Sequence, residues 1–65
     1  MMIGLRVMIL AGWGGKGGMA GQDFRRFASD TPAVVTDVVP GSHVYVKPDD
    51  SPYKWKVPTR ALVLQ

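Results

Sequence analysis

His43-Val44-Tyr45-Val46-Lys47, then Pro48-Asp49-Asp50-Ser51-Pro52, then Tyr53-Lys54-Trp55-Lys56-Val57, is the run that decides the fold. Its outer blocks alternate apolar and polar residues with period two, the pattern of a half-buried strand. The block between them holds two prolines and two adjacent aspartates, residues that favour a turn. The register follows from matching faces. Val44 and Val46 point inward, with His43, Tyr45 and Lys47 outward. Tyr53, Trp55 and Val57 form the apolar set of the next strand, with Lys54 and Lys56 on its other side. The two sets share a face only if Val46 lies across from Trp55 and Val44 across from Val57. That leaves a four-residue loop, 49–52. A slip of one residue would put lysines against valines. The same register sets Tyr45 against Lys56 and Lys47 against Lys54 on the outer side. Directly opposed lysines destabilise a sheet, and Asp49 and Asp50 at the turn relieve part of this.

Downstream, Pro58-Thr59-Arg60 makes a one-turn break, and Ala61-Leu62-Val63-Leu64 reads as a short final strand. Upstream, Ala33-Val34-Val35-Thr36-Asp37-Val38-Val39 is rich in β-branched residues and bounded by Pro32 and Pro40-Gly41, a strand with a turn at its end. The charge on Asp37 places Val34, Thr36 and Val38 on the inner face. Phe24 and Phe27, three apart, suit one helical turn with both rings on one side and Arg25 and Arg26 toward water. Seven of the eight glycines lie in the first 21 residues. Gly12 to Gly21 therefore reads as a mobile loop carrying Trp13, since glycine is costly inside regular structure. The first eleven residues are apolar except for Arg6 and read as a buried first strand. The prediction is an all-β single domain, residues 1–65. Its five strands lie near 4–11, 33–39, 42–48, 53–58 and 61–64, with a long glycine-rich first loop and a 3-10 turn before the last strand. Val44, Val46, Trp55, Val57 and Leu62 belong to its core.

A chain of 65 residues buries only about 60% of the surface that its unfolded form exposes, so the core is small. The sequence has no cysteine and one histidine, His43, which removes disulfides and cysteine-based metal sites. The apolar run Val7 to Ala11 is too short for a signal-peptide core and far too short to span a bilayer. The expected setting is cytoplasmic, with no membrane partner. The acids are five aspartates without a glutamate, and His43 has no neighbouring acid or nucleophile except Ser42. The glycine-rich loop lacks the Lys-Ser/Thr ending and long helix of a phosphate-binding loop. The chain therefore reads as a non-enzymatic module without a cofactor.

The order of these segments resembles the SH3-like barrel superfamily. Arg6 to Ala11 stands as first strand, a long loop follows, and Trp55-Lys56-Val57-Pro58 and Leu62-Val63-Leu64 close the chain. Within it, Gly4 to Gly12 followed by Gly15-Lys16-Gly17-Gly18 is similar to a KOW motif, a strand–loop–strand segment of ribosomal proteins and transcription elongation factors. Here the second strand is delayed to Ala33 by the intervening Gly21-Gln22-Asp23-Phe24-Arg25-Arg26. The KOW resemblance implies RNA or a nucleoprotein machine as partner.

The residues point to the same class. A net charge of +3 and a pI near 9.7 favour an anionic partner. Small barrels bind single strands through basic side chains beside exposed aromatics on which bases stack. The candidates are Trp13 and Lys16 in the loop, Arg25 and Arg26 after it, and His43, Tyr45, Lys47, Lys54 and Lys56 on the hairpin. Trp13 is either a contact residue or a lid over one end of the barrel. The expected partner is RNA, DNA or a nucleoprotein complex. The alternative is a protein partner: an adaptor, or a phage- or plasmid-type regulator of a host protein, which could be homo-oligomeric.

Overall fold

Valine-rich segments that alternate with polar residues bury one face by pairing side by side over a shared core. The computed structural model of this chain describes residues 2–19 and 21–65; Met1 of the apolar N-terminal stretch and Ala20 of the glycine-rich segment lie outside the described residues. The strands are β1 (Arg6–Ile9), β2 (Gly14–Gly17), β3 (Phe24–Arg26), β4 (Thr31–Val39), β5 (His43–Pro48), β6 (Trp55–Pro58) and β7 (Leu62–Leu64), with a 3-10 turn at Thr59–Ala61. They form one antiparallel sheet in the order β3-β2-β6-β5-β4-β1-β7. The sheet curls around its core, but its hydrogen-bonded ladder does not close. The fold is all-β, and the expected five strands correspond to β1, β4, β5, β6 and β7. Two more, β2 and β3, come from the segment read as loop and helical turn.

The central hairpin has the expected register. Val46 lies opposite Trp55, Tyr45 opposite Lys56 and Val44 opposite Val57. Val44, Val46, Trp55, Val57 and Leu62 all sit in the core, with Val7, Ile9, Phe27, Ala33 and Val35. Gly41 takes φ +95°, the left-handed backbone that the tight connection from β4 to β5 requires and that glycine adopts without a Cβ clash.

The hairpin departs from expectation at its tip. The β5–β6 ladder ends at Val46 and Trp55, so the connection is longer than four residues. Lys47 and Lys54 are therefore not a ladder pair. Tyr53, expected inward, is outside the strand and exposed. The reason is competition for the tip. β5 continues to Pro48 because β4 pairs with it there, and the Asp49 N–H donates to the Pro32 carbonyl at 2.9 Å.

β4 corrects a second expectation. Thr31, Ala33 and Val35 are buried, and Val34 and Thr36 are only half-buried. The register with β5 shifts between Val35 and Asp37, so Thr36 is the extra residue of a β-bulge, which reverses the alternation of faces beyond it. Val35 faces Val46, Asp37 faces Tyr45 on the outer side, and Val38 faces Val44. Beyond the bulge the pairing puts Val38 on the side of Val44, as the charge on Asp37 indicated, but Val38 is 52% exposed and is not a core residue. Before the bulge the expectation for Val34 fails as well, because Thr31, Ala33 and Val35 are the buried set.

The glycine-rich segment is strand because its neighbours approach too closely for side chains. β2 pairs with β3 on one side and β6 on the other. A Cβ on Gly15 would lie 2.7 Å from Val57 Cγ1 and 3.0 Å from the Lys56 carbonyl oxygen. Phe24 and Phe27 do not share a helical face. In extended chain, residues three apart point to opposite sides, so Phe27 is buried and Phe24 is 61% exposed.

Two ion pairs draw the ends of the sheet together. The Arg6 guanidinium of β1 donates to both carboxylate oxygens of Asp49, at 2.9 and 2.6 Å. Arg25 of β3 grips Asp50 in the same way, at 2.9 and 2.7 Å. β1 and β3 are sixth and first in the sheet order, yet adjacent residues of one turn hold both.

Candidate functional site

The outer face of the sheet is read from the pairings. Phe24 of β3 lies opposite Lys16 of β2, Lys16 opposite Lys56 of β6, Lys56 opposite Tyr45 of β5, and Tyr45 opposite Asp37 of β4. One row across five strands therefore reads Phe24, Lys16, Lys56, Tyr45, Asp37. Neither Lys16 nor Lys56 has an ion pair or hydrogen bond from its ammonium among the described residues. The two like charges face each other with an aromatic ring on either side.

Local packing explains why the rings stand there. The Phe24 ring lies across Gly14, where a Cβ would run into its Cζ; an aromatic ring laid over a strand glycine covers backbone that would otherwise be bare. Tyr45 is half-buried, and one edge of its ring packs on Gly18, where a Cβ would lie 2.7 Å from Cε1. The Lys54 ammonium sits 4.8 Å from the Tyr45 ring centroid and bonds Asp37 Oδ2 at 3.0 Å.

These contacts divide the cations into two sets. Arg6, Arg25 and Lys54 are committed to Asp49, Asp50 and Asp37. The carboxyls of Asp49 and Asp50 are held below the usual range chiefly by the hydrogen bonds from Arg6 and Arg25, with partial burial opposing. Asp37 is lowered first by Lys54 and then by the Thr36 hydroxyl, which donates to it at 3.0 Å. Lys16 and Lys56 are in the second set, with no carboxylate partner among the described residues.

Of the other residues expected at the site, Arg25 does not point to water: its guanidinium lies 4.4 Å from the Phe27 ring centroid and is held by Asp50. Arg26 lies opposite Gly14 and donates to the Gly12 carbonyl at 2.9 Å. Lys47 lies opposite Val34, away from Lys54, its ammonium 3.5 Å from the Pro48 carbonyl oxygen. His43 is exposed and lies opposite Pro58. Trp13 is half-buried, with the Arg60 guanidinium 5.4 Å from its ring centroid. Phe24 and Arg60 were not among the residues expected at a site. Strand spacing could have found Phe24, because Phe24 and Phe27 fall on opposite faces in extended chain. Nothing in the sequence foretells the meeting of Arg60 with Trp13, 47 positions away.

Among the described residues no group of acidic, histidine or cysteine side chains could hold a metal ion, and no helix is long and apolar enough to cross a membrane. The chain matches no protein-family model, no curated protein and no solved structure.

Proposed function

We propose that this protein is a non-enzymatic binding module that takes single-stranded nucleic acid on the outer face of β2, β6 and β5. The observation that carries the reading is the row Phe24–Lys16–Lys56–Tyr45, in which two lysines without carboxylate partners among the described residues are opposed between two aromatic rings. Opposed like charges cost stability, and a phosphate between them removes the cost. A flat ring beside a cation is how base-tolerant single-strand surfaces are made. Lys16 and Lys56 are the phosphate contacts, Tyr45 is the stacking platform, and Phe24 is the second aromatic at the far end of the row. The element order supports the finer reading of an SH3-like barrel. A first strand lies beside the last, a long excursion separates it from a three-stranded meander, and a single 3-10 turn precedes the final strand. The KOW-like segment Gly4 to Gly18 belongs to this reading.

The experiment is an amide-shift titration with short single-stranded RNA and DNA at low salt. The expected result is movement of Lys16, Tyr45 and Lys56. Replacing Lys16 and Lys56 together with glutamine leaves the fold intact and weakens binding for all sequences. It also flattens the slope of log affinity against log salt by about 0.7 for each single-strand phosphate that is no longer neutralised. Tyr45→Ala costs about 1–3 kcal/mol of single-strand binding. A wild-type protein that shows no shift with either nucleic acid overturns the proposal, and the protein-partner reading replaces it.

A further inference from the structure

The outer face continues beyond Lys56 and Tyr45 into a cleft. Two residues along each strand, Pro58 and His43 are again opposite each other, roughly 7 Å from the first row at strand spacing. Here the surface dips into a cleft of about 380 Å³ lined by Ser42, His43, Pro58, Thr59 and Arg60. Its walls are fixed. The Thr59 N–H donates to the Ser42 carbonyl at 2.8 Å, tying the β4–β5 turn to the 3-10 turn. The Leu62 N–H donates to the Thr59 carbonyl. The Arg60 guanidinium rests on the Trp13 ring.

The cleft is chemically one-sided. Two hydroxyls, an imidazole and a guanidinium line it, and no carboxylate does. None of these four side chains has a hydrogen-bond partner among the described residues. In the same chain three aspartates are already bound to other cations, and Asp30 accepts the Ala11 N–H at 2.8 Å. A concave site with uncommitted donors, a cation and no carboxylate accepts an oxyanion.

We infer that the cleft of Ser42, His43, Thr59 and Arg60 is a phosphate subsite. It rests on the single-strand reading above for its occupant: the phosphate of a nucleotide neighbouring the base on Tyr45. The shared chemistry is a tetrahedral phosphate oxyanion, whose two sources are a strand phosphodiester and a free phosphate. Trp13 is then neither lid nor base platform but the support that holds Arg60 in place.

The test follows amide and imidazole shifts in two titrations of the full chain, one with a hexauridylate and one with inorganic phosphate, repeated with Arg60→Gln and Thr59→Val. The expected result with hexauridylate is movement of Ser42, His43, Thr59 and Arg60 together with Lys16, Tyr45 and Lys56. Arg60→Gln then weakens binding about fivefold to tenfold and lowers the salt slope by about 0.7, while Tyr45 and Lys56 still shift. Thr59→Val, nearly the same shape, weakens binding without changing that slope. Shifts in the cleft with inorganic phosphate and none anywhere with hexauridylate keep the oxyanion chemistry and remove the strand as its source, which sinks the single-strand reading. Shifts at Lys16, Tyr45 and Lys56 with a silent cleft, and an Arg60→Gln slope equal to wild type, overturn the subsite and leave the lysine face standing.

Discussion

The β5–β6 hairpin and the β2–β3 hairpin are neighbours in one sheet and are held by opposite means. β5 and β6 bring their own apolar pairs, Val44 with Val57 and Val46 with Trp55, so their pairing and their burial are the same event. β2 supplies three glycines and a lysine and brings no apolar side chain of its own. It is held by what others lay on it: Val57 against Gly15 and the Phe24 ring across Gly14, with the Tyr45 ring on Gly18 just beyond. A hairpin can thus enter a sheet by adding side chains to the core or by leaving space for those of its neighbours. The second way sets a bare backbone, an exposed lysine, a half-buried one and two rings on one outer face, which is why the candidate site lies where the two hairpins meet.

The largest effect that would break this comparison is at Trp55. Its indole is nearly fully buried and its Nε1–H has no protein partner, so its contribution is apolar. Trp55→Ala should cost about 3–5 kcal/mol, a large part of the stability of a domain this small. A cooperative urea transition at the wild-type midpoint would show that the hairpin does not carry its own core.

Next is the glycine strand. Gly15→Val forces atoms into Val57 and the Lys56 carbonyl, and overpacking of this kind costs about 1–3 kcal/mol. The same urea experiment reads it. A variant as stable as wild type would mean that β2 can leave the sheet without loss.

The Arg25–Asp50 pair joins the two hairpins through the turn at 49–50, and the Arg6–Asp49 pair ties β1 to the same turn. Both are half-exposed, so their contribution is modest and screened. The direction is fixed by the lowered carboxyls of Asp49 and Asp50. A folded-state value below the unfolded one adds stability that is fully present above the ordinary aspartate range, near pH 4 or so. It is lost as pH falls through the lowered folded values. Asp49→Asn with Asp50→Asn should flatten the acid side of the stability profile below about pH 4 and leave its shape at neutral pH unchanged. Thermal melts across that range, at constant salt, check this; an acid limb as steep as wild type would show that the two pairs do not hold the turn to β1 and β3.

The smallest effect has the opposite sign. Lys16→Gln removes one of two opposed charges and should stabilise the sheet by roughly 0.2–1 kcal/mol. The gain should fade at 1 M salt, where screening acts within about 3 Å. A loss of stability instead would show that Lys16 has a favourable contact that the pairing with Lys56 does not reveal.

Much of the meander was legible because its residues carry two distinguishable faces. Val44, Val46, Trp55 and Val57 allow one register only, and that register is the one found. The 3-10 break before Leu62 was legible from Pro58 and the short apolar end. The candidate site was legible by residue type and not by grouping. Tyr45 opposite Lys56 followed from the register. Hairpin spacing opposes Lys47 to Lys54, whereas the opposed lysines of the sheet are Lys16 and Lys56. Local sequence could not reveal this, because Lys54 is claimed by Asp37, 17 positions earlier.

The sequence by itself determined an all-β chain, the pairing of β5 with β6 and the core side chains they supply, because period-two alternation leaves one arrangement that buries every valine. The tertiary structure decided the rest. Glycines have no face to read, so the place of β2 between β3 and β6 depends on the Val57 and Phe24 side chains that fill its empty positions. The bulge at Thr36 depends on matching β4 to β5 on both sides of Asp37. Which cations stay unpaired depends on which aspartates the curled sheet brings within reach, and that is a property of distances in space rather than of spacing along the chain.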